Sequence, residues 1–377
     1  MTFAFINGRV LTPRGLIEGG AVIVDGGRIL EICAENQAPA DAKRVDLGGG
    51  ALVPGFIDVQ VNGGDGVLFN DHPTVDAIEA IGAAHRRFGT TGFLPTLISD
   101  ELDVIARAIE AVRTAIERRA PGILGIHIEG PFLNPTRRGI HDARKFRILD
   151  DGAIELLSSL GVGRTLVTLA PERTTPAMIS RLAGAGIVVS AGHTDATYEE
   201  TRAALKAGVT GFTHLFNAMS PLASRAPGVV GAALEDQASW CGLIVDGRHV
   251  DPAVLRIAMH CKPLAKFMLV TDAMPIVGSA RKSFELQGRT ITVKDGVCVA
   301  ADGTLAGSGL DMAQAFRNAM DLMNVGFEDA AAMASLNPAQ FLGLNDLGRI
   351  EPGARASFVL LNAAREVAGC WIDGAAS

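Results

Sequence analysis

The sequence predicts an α/β protein, in which a (β/α)8 TIM barrel carries a small β-sandwich domain formed by the N- and C-terminal segments. Eight short apolar runs alternate with amphipathic helical stretches through the middle of the chain, as in consecutive β/α units. Both ends contain short alternating β segments around turn signals instead. The predicted boundaries are residues 1–53 plus 345–377 for the small domain and residues 54–344 for the barrel.

The first predicted element is the β region at the N-terminus. Residues 21–32 alternate on either side of an Asp-Gly-Gly turn, which predicts a hairpin. Residues 348–362 and 370–374 show the same pattern at the other end of the chain. The two ends are therefore predicted to fold together, beside a core that 377 residues with 48% hydrophobic content can readily bury.

The barrel strands are predicted from apolar runs that are separated by helical stretches. The strands cover residues 55–61, 92–97, 122–127, 165–170, 187–191, 211–214, 241–245 and 266–271. Helical periodicity covers residues 75–88, 102–118, 197–207 and 312–323. An open doubly wound sheet is the alternative, but its first strand would normally precede a GxGxxG helix start, which VNGGDG does not provide.

The segment at residues 283–306 alternates like a hairpin between the eighth strand and the last helix. A β hairpin at this point interrupts the β/α rhythm. We expect it to be an insertion on the catalytic face of the barrel, where the loops after the strands lie.

Charge and cysteine content exclude several classes of function. The net charge of −7 provides no overall attraction for nucleic acid, so an anionic ligand needs a local basic site. Five widely spaced cysteines without a CxxC pair indicate a reduced, cytoplasmic chain. Neither a signal-peptide pattern nor a run of 18 apolar residues is present, so no membrane association is expected.

Four residues with metal-binding or proton-transferring side chains stand at the ends of predicted strands. Glu129 follows the third strand, His193 the fifth, His214 the sixth and Asp272 the eighth. Strand ends converge in a barrel, and two imidazoles with a carboxylate are a ligand set for a hydrolytic zinc that activates water. Asp272 would then be the general base. Each residue could instead be a hydrogen-bonded structural side chain, although four such strand ends make coincidence a poor explanation.

Seven motifs together resemble the N-acetylglucosamine-6-phosphate deacetylases of the amidohydrolase superfamily, in the family's order over almost the whole chain. They are PGFIDVQVNG (54–63), HIEGPFLN (127–134), SAGHTDAT (190–197), THLFNAMSP (213–221), DGRHVD (246–251), VTDAM (270–274) and GTLAGS (303–308). The resemblance implies hydrolysis of the acetamide of N-acetyl-D-glucosamine 6-phosphate to glucosamine 6-phosphate and acetate, in amino-sugar catabolism and cell-wall recycling.

The resemblance also implies roles for individual residues. Glu129, His193 and His214 match the metal ligands, Asp272 matches the catalytic acid/base carboxylate, and His141 matches a histidine that orients the substrate and stabilises the oxyanion. The implied substrate contacts are Ile140, His141, Asn217, Ala218, Arg225, His249, Leu305, Ala306 and Gly307.

Two of these contacts, Arg225 and His249, match residues that bind the sugar phosphate, which a guanidinium suits through bidentate hydrogen bonds. Phosphate-binding residues of the family can come from a neighbouring subunit, which implies a homodimer. From the sequence alone, Arg225 could equally be a surface arginine, and His141 and His249 could be ordinary loop histidines.

The first strand departs from the wider superfamily pattern. Many binuclear amidohydrolases have His-x-His there, whereas this chain has Gln60 and Asn62, and an amide is a poor transition-metal ligand. One divalent metal per subunit is therefore expected. Zn2+ suits the mixed nitrogen and oxygen ligands best, and Fe2+, Mn2+ or Co2+ could occupy the same site.

Two rival functions remain open at the level of the sequence. A cyclic amidase or nucleobase deaminase would use the same barrel, but such enzymes usually keep His-x-His and often a lysine at the fourth strand, where this chain reads TLAPE. Within the same rival class, another amidohydrolase could act on a related N-acyl sugar phosphate. A non-catalytic scaffold could have lost the ligands or Asp272, yet all are present.

Overall fold

The computed structural model describes residues 1–294 and 296–377. Asp295 falls within the segment predicted as an insertion hairpin and lies outside the described residues. The N-terminal strands are β1 (Phe3–Ile6), β2 (Arg9–Thr12), β3 (Gly15–Glu18), β4 (Gly20–Asp25), β5 (Arg28–Ala34), β6 (Lys43–Asp46) and β7 (Ala51–Pro54). The predicted hairpin is present as β4 and β5, which pair in antiparallel fashion.

The barrel consists of eight parallel strands in sequence order, so the predicted fold class is confirmed. They are β8 (Phe56–Val61), then β11 (Thr90–Ile98), β12 (Gly125–Glu129), β13 (Arg164–Leu169), β14 (Val188–Ala191), β15 (Val209–Phe212), β16 (Trp240–Leu243) and β17 (Phe267–Leu269). A short hairpin, β9 (Gly63–Gly64) with β10 (Val67–Leu68), follows the first of them. A bridge between Val61 and Ala273 joins the two ends of the sheet.

All eight predicted barrel strands are present, with some shifts in their bounds. The third begins at Gly125 instead of residue 122, so Glu129 is its last residue and does not follow it. The cause is local: Pro121 and Gly122, whose φ angle is 81°, lie in a turn, and Ile123 forms an isolated parallel bridge with Phe93. The continuous strand begins only at Gly125, whose φ angle is 154°.

Helices cover the outside of the barrel. They are α1 (Val75–Arg86), α2 (Leu102–Glu117), α3 (Asp151–Leu157), α4 (Pro176–Gly184), α5 (Tyr198–Ala207), α6 (Gly228–Glu235), α7 (Pro252–Cys261), α8 (Met312–Met323), α9 (Phe327–Ala334) and α10 (Leu336–Phe341). Thr197, predicted as the first residue of α5, is its N-cap, because its side chain accepts from the backbone N–H of Glu200. None of the helices within the described ranges is long and apolar enough to cross a membrane.

The insertion after the eighth barrel strand forms a four-stranded antiparallel sheet, of which the described strands are β18 (Ser283–Leu286), β19 (Arg289–Lys294), β20 (Val297–Ala300) and β21 (Leu305–Ser308). Its apolar side chains Phe284, Leu286 and Ile291 pack on Ile98 and Ile140 beside the barrel mouth. The insertion therefore lies beside the ends of the barrel strands, as the sequence predicted, but its described strands number four and extend to Ser308, whereas a hairpin at residues 283–306 was expected.

The chain's two ends meet in a pair of sheets. The C-terminal strands are β22 (Phe358–Leu361), β23 (Val367–Ile372) and β24 (Ala375–Ala376). In the larger sheet β7 lies between β2 and β22, and the smaller sheet has the order β5-β4-β1-β6. Phe5 of the smaller sheet packs edge-on against Phe358 and Trp371 of the larger one, with ring centroids 5.3 and 5.2 Å apart. The domain boundaries at residues 53 and 345 stay a prediction.

Candidate metal-dependent active site

A cavity of about 370 Å³ opens where the barrel strands end and the insertion begins. Its size lies within the range of about 300–1,000 Å³ that is usual for small-molecule sites. The predicted site residues that line it are Glu129, Ile140, His141, His193, His214, Asn217, Ala218, His249, Asp272, Leu305 and Gly307. The structure thus brings together side chains that lie far apart in the sequence.

Glu129, His193 and His214 form a compact group at the base of the cavity. Nε2 of His214 and Nε2 of His193 lie 2.9 and 3.2 Å from Oε1 of Glu129, and the two nitrogens are 3.1 Å apart. Ligands around 2.0–2.1 Å from one tetrahedral ion are about 3.3 Å from each other. The three atoms therefore have the mutual spacing that a single ion requires, and the donor set suits zinc.

The backbone turns sharply at the residues that point into the site. His193, His214 and Asp272 have φ angles of 48°, 34° and 50°, in the left-handed region that non-glycine residues rarely adopt. Each lies just past its barrel strand, so this turn bends the chain away from the strand direction at the cavity. Uncommon backbone conformations of this kind concentrate at functional sites, where surrounding structure maintains them.

Neighbouring groups prepare the His193 imidazole and the Glu129 carboxylate for a cation. Nδ1 of His193 donates to the carbonyl oxygen of Arg137 at 2.9 Å, which leaves the lone pair on Nε2 free for a metal. Burial opposes ionisation of Glu129, but the adjacent His193 and His214 outweigh it and hold the pKa of that carboxyl well below its usual range. The group thus presents an anionic oxygen and a correctly oriented nitrogen at one point.

Gln60 and Asn62 occupy the space between the carboxylates. Carboxylates only accept hydrogen bonds, so the amide nitrogens face them. Nε2 of Gln60 lies 3.2 Å from both oxygens of Glu129 and 3.2 Å from Oδ1 of Asp272, and Nδ2 of Asn62 donates to that same Oδ1 at 2.6 Å. The residues that replace the first-strand histidines are therefore donors to the site.

Asp272 is fixed through one of its two oxygens. Both amide donors bind Oδ1, which leaves Oδ2 for other contacts. Burial and the neighbouring charge of Glu129 raise the pKa of Asp272 to about 6. Gly307 permits the close approach of the insertion, because a Cβ on this residue, whose φ is 61°, would lie 2.7 Å from the carbonyl oxygen of Asp272.

Below Asp272, a buried carboxylate of the first strand joins the two edges of the barrel. Asp58 accepts from the backbone N–H of Gln60 and from both the N–H and the hydroxyl of Thr271. Burial raises the pKa of Asp58 to about 7 despite these donors. The sequence analysis assigned Asp58 no role, although it lies in the PGFID motif.

His141 lies beside the metal-ligand group, with its ring centroid 4.4 Å from that of His193. Burial, followed by the charge of the nearby His193, holds the pKa of His141 well below its usual value, so the ring is neutral. A neutral imidazole carries one N–H, and such a group can stabilise negative charge that develops on a carbonyl oxygen.

The cavity is also lined by His249, which a carboxylate orients. Nδ1 of His249 lies 2.6 Å from Oδ2 of Asp246, and Oδ1 of Asp246 accepts from the backbone N–H groups of Arg248 and His249. Burial works against ionisation of Asp246, but the contact with His249 outweighs it and lowers the pKa of the carboxyl. Asp246 thus sets the ring orientation of a cavity-lining histidine.

Two predicted substrate contacts lie elsewhere. Arg225 is exposed in a run of six exposed residues, 221–226, and does not line the cavity of its own chain. The side chain of Ala306 is fully buried in the apolar cluster under the insertion, because it alternates with Leu305 and Gly307 along β21.

Other cavity residues were missed by the sequence analysis. They are Ile98, Thr136, Arg137, Gly139, Ile244, Met274 and Thr304. Arg137 and Gly139 belong to the segment RRGIHD (137–142) around His141, Met274 to VTDAM and Thr304 to GTLAGS, so membership of a motif segment was the available signal for these four. The apolar Ile98 and Ile244 were indistinguishable in sequence from ordinary core residues.

Comparisons with known proteins agree with this geometry. The amidohydrolase family profile matches residues 51–376, and the NagA composite domain matches residues 2–52. A curated relative, N-acetylgalactosamine-6-phosphate deacetylase of Shewanella sp. (strain ANA-3), is 42% identical over 97% of this chain and 93% of its own length.

Solved structures are similarly close. N-acetylglucosamine-6-phosphate deacetylase from Pasteurella multocida superposes with a TM-score of 0.97 at 34% identity, covering 100% of both chains. The Mycobacterium smegmatis enzyme, solved as an aspartate-to-alanine mutant in complex with N-acetyl-D-glucosamine-6-phosphate, superposes with a TM-score of 0.92 at 35% identity, covering 100% of this chain and 98% of its own. The chain described here belongs to the amidohydrolase family.

Proposed function

We propose that this protein hydrolyses the acetamide of N-acetyl-D-glucosamine 6-phosphate to D-glucosamine 6-phosphate and acetate, in amino-sugar catabolism and cell-wall recycling. The observation that carries the proposal is the buried group of Glu129, His193 and His214 with Asp272 beside it, inside a cavity of small-molecule size. Solved structures named for this activity match the whole chain, and one of them contains the substrate.

The proposed cofactor is one divalent metal ion held by Glu129, His193 and His214, with Zn2+ preferred over Fe2+, Mn2+ or Co2+. Such an ion would polarise the acetyl carbonyl and lower the pKa of a water molecule. A single ion is expected because Gln60 and Asn62 direct amide N–H groups at the carboxylates, where a second cation would need lone pairs.

Asp272 would move the proton during the reaction. Its Oδ2, free of the two amide donors on Oδ1, accepts a proton from the attacking water as the oxygen bonds to the acetyl carbon. It then delivers a proton to the amide nitrogen as the C–N bond breaks, so that the amine leaves in neutral form. The N–H of His141 would donate to the oxyanion between these steps.

Substrate binding would use the remaining lining residues. Asn217, Ala218, Ile140, Leu305 and Gly307 would contact the sugar and the acetyl group. His249, which also lines the cavity, would contact the phosphate.

Arg225 would join it from a neighbouring subunit, since its own chain exposes it away from the cavity. Leu222 on the same exposed segment is 59% exposed, which suits a subunit interface of a homodimer.

Complementation between subunits tests this arrangement. Arg225→Ala and Asp272→Asn chains are co-expressed with different tags, and the mixed dimer is purified through both. If Arg225 acts across the interface, one of the two mixed sites has an intact Asp272 and an intact arginine, so about half of the wild-type activity returns. A mixed species with no more activity than Arg225→Ala alone would place the arginine in its own chain's site and remove the argument for a shared site.

The activity itself is tested with a panel of N-acetyl sugars, with and without phosphate, incubated with metal-reconstituted protein while acetate release is measured. The Asp272→Asn variant serves as the matched control. The proposal is supported if acetate is released from N-acetylglucosamine 6-phosphate and not from the unphosphorylated sugar, and if the Asp272→Asn variant abolishes this release. Release from cyclic amides or nucleobases instead would favour the rival amidohydrolase reactions.

A second candidate substrate differs only at one carbon of the sugar. The Shewanella relative, at 42% identity, is named for N-acetylgalactosamine 6-phosphate, the C4 epimer. Hence the panel includes both epimers at equal concentration, and the ratio of their kcat/KM values assigns the preference.

The cytoplasm is the proposed location. All five cysteines are free, and none approaches another as a disulfide in the described structure. Fractionation of cells that express a tagged chain at native level tests this, and recovery in a membrane or extracellular fraction would contradict it.

A further inference from the structure

His141 is held by Ser99, the residue after the second barrel strand. The Ser99 hydroxyl lies 2.8 Å from Nδ1 of His141, and the Ser99 backbone N–H donates to the same nitrogen at 3.3 Å. Both residues are buried. Because a backbone N–H can only donate, Nδ1 must offer a lone pair, and the single ring proton is then on Nε2.

Gln287 ties the insertion to this contact. It lies in the turn between β18 and β19 with a φ of 49°. Its Nε2 donates to the carbonyl oxygen of Ser99 at 2.6 Å, and its Oε1 accepts from the backbone N–H of Asp142 at 2.7 Å. The side-chain amide of Gln287 therefore bridges Ser99, which holds His141, and Asp142, which follows His141 in the sequence.

The bridge needs a group that donates and accepts at once. A carboxylate could only accept, so it would leave the Ser99 carbonyl facing another acceptor, and an apolar side chain would leave both backbone groups without this partner. Next to Gln287, the fully buried Leu286 packs in the same apolar cluster as Ile140, which keeps the turn against the cavity wall. The turn that contains Gln287 is therefore packed against the wall of the cavity.

We propose that Ser99 and Gln287 are positioning residues for His141: Ser99 fixes the ring with its proton on Nε2, and Gln287 makes that arrangement depend on docking of the insertion. His141 is then a hydrogen-bond donor throughout the reaction and transfers no proton. The identity of its acceptor, the acetyl oxygen, rests on the proposed function, whereas the tautomer does not.

The tautomer is measured directly by NMR on metal-loaded protein labelled with 15N-histidine, with the His141 signals assigned by loss in His141→Asn. We expect Nδ1 to have the chemical shift of a bare nitrogen and Nε2 that of a protonated one. A protonated Nδ1 in the wild-type protein would overturn the proposal without any variant or activity measurement.

Kinetics then test the contribution of each contact. Ser99→Ala and Gln287→Met should each lower kcat about two- to tenfold with little change in KM, the size expected when one neutral hydrogen bond is lost. Glu285→Ala is the matched control, since Glu285 is exposed on the same hairpin and its side chain accepts a hydrogen bond from the Thr290 hydroxyl on the neighbouring strand. If the kcat values of Ser99→Ala and Gln287→Met both equal that of Glu285→Ala, the proposal is overturned.

A more reactive substrate separates positioning from general loss of structure. A trifluoroacetyl amide forms a more stable oxyanion and needs less help from His141, so both variants should lose less on it than on the acetyl substrate. If the variants lose kcat equally on the acetyl and trifluoroacetyl amides, Ser99 and Gln287 have only a structural role. If the wild-type protein releases no acetate from any sugar phosphate, the proposed function fails, and the NMR result still decides the tautomer.

Discussion

The proposed metal-binding group lies at the ends of barrel strands, whereas the proposed phosphate contacts Arg225 and His249 lie on loops. Glu129, His193, His214 and Asp272 are at strand ends, and their hydrogen bonds reach partners within the same chain. Arg225, by contrast, projects from an exposed segment away from the cavity. One chain therefore contains all of the predicted chemical groups in its cavity, while Arg225, a proposed phosphate contact, lies outside the cavity of its own chain.

The largest effect is expected from removing the metal, since every predicted chemical group surrounds that point. Treatment with a chelator should reduce acetate release to background, and one equivalent of Zn2+ per chain should restore it. Elemental analysis of purified protein should find one ion per chain. Two ions per chain at full activity would show that Gln60 and Asn62 do not prevent a second site.

The second-largest effect on activity is expected from Asp272→Asn, because this substitution keeps the shape of the side chain but cannot accept the proton. The kcat value should fall about 10²- to 10⁴-fold, the range for a positioned acid/base group. Metal content should not change, since the proposed ligands are three other residues, Glu129, His193 and His214. A variant that loses its metal, or one that keeps near-normal turnover with metal bound, would make Asp272 a structural carboxylate.

At the phosphate end, Arg225→Ala should mainly weaken binding. Loss of a charge-assisted contact costs about 1.5–3 kcal/mol, roughly ten- to a hundredfold in kcat/KM. An unphosphorylated sugar should be affected little, and Arg248→Ala, an exposed arginine that does not line the cavity, should match the wild type. Equal losses on phosphorylated and unphosphorylated sugars would argue against contact with phosphate.

The smallest effect is expected from Asp246→Asn, which weakens the contact that orients His249. The KM value for the phosphorylated sugar should rise about two- to tenfold, as for loss of one hydrogen bond. The kcat value should hold, because the weakened hydrogen bond is to His249, the proposed phosphate contact, and Asp272 keeps both of its amide donors. A fall in kcat with unchanged KM would contradict a role of His249 in phosphate binding.

Sequence patterns predicted the barrel and the placement of its chemical groups well, because both follow from periodicity. Eight apolar runs predicted eight strands, and the polar residues after them had to converge once the sheet closed. The third strand was misplaced at its start because apolar runs carry no information on the φ angles of Gly122 and Gly125. The assigned roles of the site residues stay predictions until the variants are measured.

Other features depended on contacts that no local pattern records. That Gln60 and Asn62 are poor metal ligands stays a prediction, and their donation to Glu129 and Asp272 could not be predicted, because it requires strands that are remote in the sequence to meet. The exposure of Arg225 depends on how its segment leaves the barrel. Ser99 and Gln287 are 188 residues apart and belong to none of the quoted motifs.

The sheet shared by the two ends of the chain has a consequence for biosynthesis. During translation β7 pairs with β2 early, but its other edge waits for β22, which emerges from the ribosome some 300 residues later. Through that interval the nascent chain presents an apolar strand edge, the kind of surface that chaperones protect and that aggregates when it is left open. A chain that terminates before Phe358 would keep that edge exposed permanently, so premature stops near the C-terminus should be cleared as misfolded protein even though the barrel residues are all present.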